Sequence, residues 1–259
     1  MKKIIRRILN RFNIEITKKT SLEYLKHVNH TPFNAIIPLI SILTLNKEKL
    51  KIIQIGSNDG LKDDMFSKIV KKINAQIIFI EPQKIPFKKI SELYKNKSNY
   101  HFENIAIADK IGELDFYYFK DEFEGQINLS LFSSFEYHNI LKYKNLLNIN
   151  SIILNVKIKS ETISSLIQRY EWSSSDIDVI IMDCEGYDPV ILKNLFNEKI
   201  FPEVIQFESR NISETEINGI INLLKEYKYY YIFDFGDIVA IKYDVESLNF
   251  ALRETSSDN

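Results

Sequence analysis

Two carboxylates stand where an apolar run ends, in the stretch "IIMDCEGYDP" of residues 180–189. In an extended segment, Asp183 and Glu185 point to the same side and Cys184 points to the other. Gly186 then permits a tight turn. Acids that flank the exit of a buried strand are typical of a site with tuned ionisation. We therefore interpret Asp183 and Glu185 as site residues and Cys184, the only cysteine, as a packing residue.

A third acid of this stretch, Asp188, has a different interpretation. It stands directly before Pro189, and proline is common in the first turn of a helix. An aspartate at that position is well placed to accept hydrogen bonds from the first N–H groups of a helix. The sequence therefore predicts that Asp188 is the N-cap of a helix over residues 189–197.

A glycine-bounded turn follows an earlier apolar run, "KIIQI" at residues 51–55. The turn "GSNDG" extends from Gly56 to Gly60, and Asn58 belongs to the few other residue types that tolerate a left-handed conformation. It leads into a helix-like segment, whose first N–H groups are open to a ligand. Glycine is missing at positions 58 and 61, so the turn is not a dinucleotide fingerprint.

A carboxylate followed by proline ends the next apolar run, "QIIFIE" at residues 76–81. The two oxygens of Glu81 can accept both hydroxyls of a ribose, and Pro82 stiffens the turn. An acid about twenty residues after a glycine-rich turn favours a ribose ligand over a solvated helix cap.

These strand ends belong to a regular alternation of strands and helices. Further strands are predicted at residues 101–108, 178–183, 203–208, 229–235 and 237–243. Helices are predicted at residues 61–73, 86–97, 161–172, 189–197 and 216–227. The alternation predicts a mostly parallel sheet with helices on both faces, and the final pair predicts an antiparallel hairpin. Ligands of such sheets bind beyond the carboxyl ends of the strands.

Residues 109–176 depart from this alternation. Their predicted parts are an edge strand, a loop leading into a helix and a further strand, at residues 112–119, 124–139 and 152–158. Because no linker rich in proline, glycine or serine separates them, we interpret the segment as an insertion at the ligand-binding edge. The sequence thus predicts a helical extension at residues 1–45 and a single domain at residues 46–259.

The charge and cysteine content exclude several classes of protein. The chain of 259 residues has 34 basic and 35 acidic residues, so no overall field favours nucleic acid. A single cysteine fits a reducing, cytoplasmic compartment. The basic segment "MKKIIRRILNRF" predicts an amphipathic helix, either a weak contact with the inner membrane face or, as we favour, a solvated cover of the domain edge. The apolar residues 35–45 are too short to span a bilayer and predict a buried helix.

Taken together, these motifs resemble the FkbM family of S-adenosylmethionine-dependent methyltransferases. The matching stretches occur in family order across residues 51–243. They are "IIQIGSNDG", "FIEPQKIPFKKI", "ENIAIADKIGEL", "SSF", "VKIKSETISSLI", "DVIIMDCEGYDPVIL" and "FPEVIQFES". The most specific are the Glu-Pro pair after the second strand and the later D-x-E-G. Two positions depart from the family pattern: Ile181, where many relatives have lysine, and Gln54, where many have an acid.

The resemblance implies a seven-stranded class I methyltransferase fold, with S-adenosylmethionine as cofactor. It implies that the methionine part is held by Gly56, Ser57, Asn58 and Gly60. It implies that the nucleoside is held by Glu81 and Pro82, and by Asn104, Ile105 and Ala106 beside the adenine. Asp183 and Glu185 would line the reaction centre.

The implied reaction is methyl transfer to a hydroxyl oxygen of a sugar or glycan-related acceptor, as in polysaccharide biosynthesis. A hydroxyl is a poor nucleophile and benefits from a general base. Our candidates are Glu185, then Asp183, then His138, although His138 also fits a surface helix. Ser133, Ser134 and Glu208 are candidates for binding the acceptor. No cluster of histidine and cysteine supports zinc, and we predict no metal.

Two other functions also fit the sequence. A non-catalytic protein that binds the cofactor within a glycan-assembly complex would keep the cofactor residues and lack a working acceptor site. A nicotinamide-dependent oxidoreductase would share the alternating fold, but the missing glycines disfavour it.

Overall fold

The computed structural model describes residues 34–60, 65–234 and 236–242. Its α-helices are α1 (Ile36–Asn46), α2 (Met65–Val70), α3 (Lys84–Leu93), α4 (Tyr137–Leu146), α5 (Ile163–Arg169), α6 (Asp188–Asn197) and α7 (Glu214–Glu226). Its strands are β1 (Leu50–Ile55), β2 (Ala75–Ile80), β3 (Tyr100–Glu103), β4 (Ala106–Ile107), β5 (Gly112–Phe119), β6 (Phe123–Glu124), β7 (Ile127–Asn128), β8 (Ile153–Glu161), β9 (Val179–Met182), β10 (Val204–Glu208), β11 (Tyr229–Asp234) and β12 (Asp237–Lys242). The helix predicted at the N-terminus lies outside the described residues.

The main sheet has seven strands in the order β11-β12-β10-β9-β1-β2-β3. The strands from β10 to β3 pair in parallel, whereas β12 is antiparallel to both β10 and β11. The central strands are continuous apolar runs because helices cover both of their faces. This confirms the predicted class I methyltransferase fold with its C-terminal antiparallel hairpin.

Each face of the main sheet has its own hydrophobic core. On one face Ile40, Phe66 and Ile90 bring α1, α2 and α3 against the strands. On the other face the helices α5, α6 and α7 contribute buried side chains that include Leu166, Leu192 and Ile220. The helix α1 covers its face only partly, because Leu45 is 83% exposed and only its inner residues are buried. The prediction of a buried helix at residues 35–45 was therefore correct for one side of that helix.

The strand predicted at residues 101–108 is in fact two strands in two sheets. The first part, β3, pairs with β2, and the second part, β4, pairs in parallel with β8. At the break, the Asn104 side chain donates to the carbonyl oxygens of Glu81 at 2.8 Å and Pro82 at 3.0 Å. These bonds turn the chain towards the end of β2 and out of the main sheet.

A second sheet of three strands has the order β4-β8-β5. The strands β5 and β8 are antiparallel, and β5 lies at an edge, as its alternating sequence predicted. The inner residues Phe116 and Phe119 of β5 are buried. Residue Tyr117 of β5 also forms a bridge to Ser134, which joins this sheet to the loop before α4. None of the helices in the described residues is long and apolar enough to cross a membrane.

Candidate active site

A cavity of about 730 Å³ opens at the carboxyl ends of the central strands. This volume is in the range of pockets that hold organic ligands. Its wall includes most of the residues that the sequence singled out: Gly56, Ser57, Asn58, Glu81, Pro82, Ile105, Ala106, Ser133, Ser134, Asp183, Glu185 and Glu208. The segment 109–176 supplies part of the wall through Phe116 and the residues 130–135. The topology thus brings distant motifs together at one edge.

The turn after β1 passes very close to the end of β9. Gly56 has a φ of +75°, and a β-carbon at this position would lie 1.9 Å from the carbonyl oxygen of Asp183. Its N–H, like that of Ser57, donates to the carbonyl oxygen of Ile80. Asn58 has a φ of 45°, so the predicted left-handed conformation is confirmed. Glycine is therefore required at position 56 by both the left-handed conformation and the close approach to Asp183.

The carboxylate after β2 is buried and bound to the backbone. Oε2 of Glu81 accepts the N–H of Asn58 at 2.8 Å, and Oε1 accepts the N–H of Gln83 at 2.8 Å. Each oxygen therefore keeps a lone pair for a further donor. Burial raises the pKa of Glu81 to about 7, against these two hydrogen bonds, which lower it.

Two of the predicted cofactor residues have a different place. The Asn104 side chain is occupied by the carbonyl groups of Glu81 and Pro82, so it organises the Glu81 turn from behind. Gly60 lies against Ile90 of α3, outside the wall that the described residues form around the cavity. Ile105 and Ala106 remain in that wall, and both are buried.

Glu185 does not continue the strand, contrary to the alternation assumed from the sequence. The strand β9 ends at Met182, and Glu185 has a φ of 51°, in the left-handed region. Its carbonyl oxygen accepts bonds from Asn139 at 3.1 Å and Ser134 at 3.2 Å, which hold this conformation. Both Asp183 and Glu185 still reach the cavity, because a turn rather than a pleat directs the second side chain.

Asp188 is not an N-cap, which corrects the sequence prediction. It is the first residue of α6, and its carboxylate accepts the N–H of Cys184 at 3.2 Å and that of Glu208 at 3.4 Å. The side chain therefore joins the ends of β9 and β10. Burial raises the pKa of Asp188 to about 7. Cys184 packs in the core beneath this turn, as predicted, but it also borders the cavity, so it does not point away from the site.

His138 does not belong to the site. Its side chain is 76% exposed on α4, beside Glu136 at 3.8 Å. It lies outside the cavity wall that the described residues form. The sequence candidate for a third base is thus a surface histidine, which was the alternative interpretation of this residue.

The two serines of the "SSF" stretch have internal partners. Ser134 is buried and donates to the carbonyl oxygen of Glu185 at 3.2 Å, so it holds the turn. Ser133 accepts a bond at 2.9 Å from Gln83, which also donates to the carbonyl oxygen of Ser130. Gln83 thus ties the loop over the cavity to the Glu81 turn. Gln83 was not among the predicted site residues, although it directly follows the Glu-Pro pair.

The far part of the cavity is lined by residues that the sequence analysis did not select: Lys68, Gln206, Arg210, Asp234 and Asp237. Gln206 donates to Asp237 at 2.6 Å, and burial raises the pKa of Asp237 to about 6. Gln206 lies in the middle of β10 and Arg210 just after it, Asp234 ends β11, Asp237 begins β12, and Lys68 lies in α2. The rule that ligands bind at the carboxyl ends of strands could have identified the cavity residues contributed by β10 and β11.

Burial raises the pKa values of two acids in the cavity wall, Glu208 and Glu185. It raises the pKa of Glu208 to about 7. The pKa of Glu185 lies well above its ordinary value, first because of burial and then because of the negative charges of Asp183 and Glu208. A raised pKa makes an ionised carboxylate a stronger proton acceptor, which is what a general base requires.

These shifts predict an unusual dependence of stability on pH. Glu81, Asp188, Glu208 and Asp237 bind protons more tightly in the folded chain than in the unfolded chain. Their contribution to the free energy of unfolding is therefore fully present below about pH 4 and is lost as the pH rises through 6 to 7. The lowered pKa of His101 acts in the opposite sense, but it is one group. We expect the free energy of unfolding of the free protein, measured by urea denaturation, to fall between pH 5 and pH 8.

Glu208→Gln provides the control for this pH dependence. It removes one of the titrating groups, so its stability should fall less steeply over the same range. A free energy of unfolding that stays constant or rises from pH 5 to pH 8 in the unaltered chain would contradict the assignment of raised pKa values.

Comparison with known proteins gives the family. The model of the "Methyltransferase FkbM domain" matches residues 54–231, which is more than half of the chain. The chain belongs to the FkbM methyltransferase family. S-adenosylmethionine is accordingly its methyl donor, and the resemblance stated from the motifs is confirmed. No curated protein matches the chain.

Solved structures of low sequence identity were also found. An FkbM methyltransferase from Methylobacillus flagellatus KT has a TM-score of 0.48 at 11% identity, covering 75% of this chain and 44% of that chain. A putative caffeoyl-CoA O-methyltransferase from Staphylococcus aureus has a TM-score of 0.40 at 11% identity, covering 93% and 91%. A fibrillarin from Methanococcus jannaschii has a TM-score of 0.37 at 13% identity, covering 76% and 67%. The chain thus spans less than half the length of the first of these proteins.

The residues around the cavity fit the donor of the family. The two oxygens of Glu81 have one acceptor site each for the neighbouring hydroxyls of a ribose. Gly56 lets the turn lie directly against Asp183, where a β-carbon would clash with the carbonyl oxygen. Ile105 and Ala106 offer an apolar surface for a base. In the described residues no group of acids, histidines and cysteines is arranged to hold a metal ion.

Proposed function

We propose that this chain transfers a methyl group from S-adenosylmethionine to a hydroxyl oxygen of a sugar or glycan-related acceptor. The observation that carries the proposal is the place of Glu185. A partly buried carboxylate with a raised pKa lines the same cavity as Glu81, whose oxygens suit a ribose. The chain therefore combines a nucleoside-type subsite and a candidate general base within about 730 Å³.

S-adenosylmethionine, when bound, supplies a methyl group that is already activated, so the protein must mainly position the acceptor and remove its proton. Ser57, Asn58 and Glu81 hold the donor side of the cavity. Glu185 would accept the hydroxyl proton as the acceptor oxygen takes the methyl carbon. The donor's sulfur would keep the electron pair of the carbon–sulfur bond. The raised pKa of Glu185 makes its carboxylate a stronger base for this proton.

The charges of the cavity wall support an uncharged acceptor. The acids Glu81, Asp183, Glu185, Glu208, Asp234 and Asp237 line it, against the cations Lys68 and Arg210. A phosphorylated or carboxylated acceptor would meet repulsion from this excess of acids. A neutral sugar can instead donate its hydroxyls to carboxylate and amide oxygens. Ser133 and Glu208 are the candidate contacts for such hydroxyls.

Two measurements on the full chain test this function. Calorimetry should show binding of S-adenosylmethionine and S-adenosylhomocysteine, and no comparable binding of NAD. Methyl-labelled donor should then transfer label to neutral cell-envelope sugar fractions and not to their phosphorylated counterparts. Binding of NAD in place of S-adenosylmethionine and S-adenosylhomocysteine would sink the methyltransferase proposal. Donor binding without any label transfer would favour the non-catalytic alternative.

A further inference from the structure

The carboxylate of Glu185 is held by two residues from distant parts of the chain. Asn211, in the loop after β10, donates through Nδ2 to Glu185 Oε2 at 2.7 Å and to Glu208 Oε2 at 3.1 Å. The hydroxyl of Tyr143 on α4 lies 2.8 Å from Asn211 Oδ1 and 3.3 Å from Glu185 Oε2. These four side chains form one hydrogen-bonded group contributed by three segments.

The orientation of the Asn211 amide follows from its neighbours. Two carboxylates face one end of the amide, so this end must be the donating NH₂ group. The amide oxygen faces the Tyr143 hydroxyl, which donates to it as the nearer acceptor. The Tyr143 ring packs against Phe132 with 4.9 Å between centroids, so its hydroxyl has a fixed position. Tyr143 therefore prevents the amide from rotating away from the two acids.

The backbone of Glu185 is held by a separate set of contacts. Asn139 and Ser134 both donate to its carbonyl oxygen and not to its carboxylate. Gly186 completes this arrangement, because a β-carbon there would lie 2.9 Å from the Asn139 amide and 3.1 Å from the Asn211 carbonyl oxygen. Loss of the Asn211 side-chain bonds would therefore leave the turn itself in place. The two sets of contacts have separable roles.

The charged groups around Glu185 show why its carboxylate needs a donor. Asp183 at the end of β9, Asp188 on α6 and Glu208 on β10 all oppose its ionisation. The guanidinium of Arg210 stabilises the ionised form of Glu208. Two donors oppose the effect of these acids on Glu185: the Asn211 amide at 2.7 Å, which is shared with Glu208, and the Tyr143 hydroxyl at 3.3 Å, whose hydrogen bond lowers the pKa of Glu185. A shared donor lets one acid ionise beside the other.

We propose that Asn211 is a positioning residue for the candidate base, which it keeps aimed into the cavity and able to ionise beside Glu208, and that Tyr143 fixes Asn211 in the required orientation. This inference rests on the proposed function, in which Glu185 takes the proton of the acceptor. Asn211 lies outside the wall that the described residues form around the cavity, whereas Tyr143 borders the cavity. Their effect is on the carboxylate.

Carbon-13 NMR titration of the full chain, labelled at the glutamate carboxyl carbons, tests the inference without an acceptor. Glu185→Gln and Glu208→Gln assign the two signals. In Asn211→Leu the pKa of Glu185 should rise by about one unit or more, because the ionised form loses its donor. Tyr143→Phe keeps the ring against Phe132 and should raise the pKa of Glu185 by a smaller amount.

The matched control is Asn155→Leu, the same change at an exposed site. Asn155 donates to Asp115 at 3.2 Å on the second sheet, so this variant should leave the Glu185 titration unchanged. A Glu185 titration that is unchanged in both Asn211→Leu and Tyr143→Phe overturns the inference. If Asn211→Leu does not fold, Tyr143→Phe alone decides in the same way.

Calorimetry with S-adenosylmethionine separates this inference from the proposed function. We expect the unaltered chain and both variants to bind the donor alike, because Asn211 and Tyr143 hold the base and not the ribose subsite. Failure of the unaltered chain to bind overturns the proposed function, and the inference with it. Normal binding together with unchanged titrations overturns the inference alone.

Discussion

Glu185→Gln is expected to lower the rate of methyl transfer by about 10²–10⁴-fold, because the amide cannot take a proton from the acceptor hydroxyl. The affinity for S-adenosylmethionine should stay the same, since the ribose subsite lies at Glu81 on another strand end. The amide keeps the shape of the side chain, so the fold should also be preserved. Label transfer to the neutral sugar fraction and calorimetry with the donor measure the two quantities separately.

Two control variants accompany Glu185→Gln. Glu136→Gln makes the same chemical change at an exposed side chain before α4, and His138→Ala removes the surface histidine beside it. Both should transfer methyl groups at the normal rate. Full activity in Glu185→Gln would exclude Glu185 as the base. If Asp183→Asn then abolished transfer, the role would pass to Asp183, the second candidate from the sequence.

Gly56→Ala is expected to lower the free energy of unfolding by about 3–5 kcal/mol and to abolish donor binding. One part of this loss is the cost of a left-handed conformation for alanine, at a φ of +75°. The larger part is the clash of the new methyl group with the carbonyl oxygen of Asp183, which would lie at 1.9 Å. That carbonyl cannot move without separating the ends of β1 and β9. Urea denaturation and calorimetry provide the measurements.

Comparison with Gly125→Ala separates the effect of the steric clash at Gly56 on the free energy of unfolding from the effect of the left-handed conformation. Gly125 has a φ of +61°, but a β-carbon there would meet no atom within 4 Å. Its variant should therefore lose only about 1–2 kcal/mol and bind the donor normally. Equal losses in the two variants would show that the close approach of the two strand ends is not what requires glycine at Gly56.

The sequence predicted the fold well because its signals are local. Continuous apolar runs identified β1, β2 and β9, and their alternation with helical segments predicted the parallel sheet. The one strand that was wrong, at residues 101–108, divides at Asn104, between the polar Glu103 and the apolar residues 105–108. Its division depends on the bonds from Asn104 to the carbonyls of Glu81 and Pro82, which are distant in the chain. Periodicity contains no information about such contacts.

The candidate site could be located from the sequence, but its internal contacts could not be derived. Glu81, Asp183 and Glu185 line the cavity as expected from the positions of strand ends. Asp188 was mistaken for a helix cap, because the sequence before a proline does not show that its carboxylate instead accepts the N–H of Cys184. Asn211 gave no signal, since an asparagine in a loop is common. Its importance appears only when the fold places it between two carboxylates.

The pairing of β4 with β8 has a consequence for how this protein can be altered. Ala106 and Ile107 of β4 belong to the chain that leaves the main sheet, whereas β8 lies at the far end of the segment 109–176. That segment is also fastened to the turn at Glu185 through Ser134 and Asn139. The segment 109–176 therefore cannot be removed or exchanged as an independent unit. A chimera that exchanges only residues 109–176 with a relative would disturb two strand ends at once. An exchange intended to change the substrate preference should therefore include residues 104–108 and 183–187.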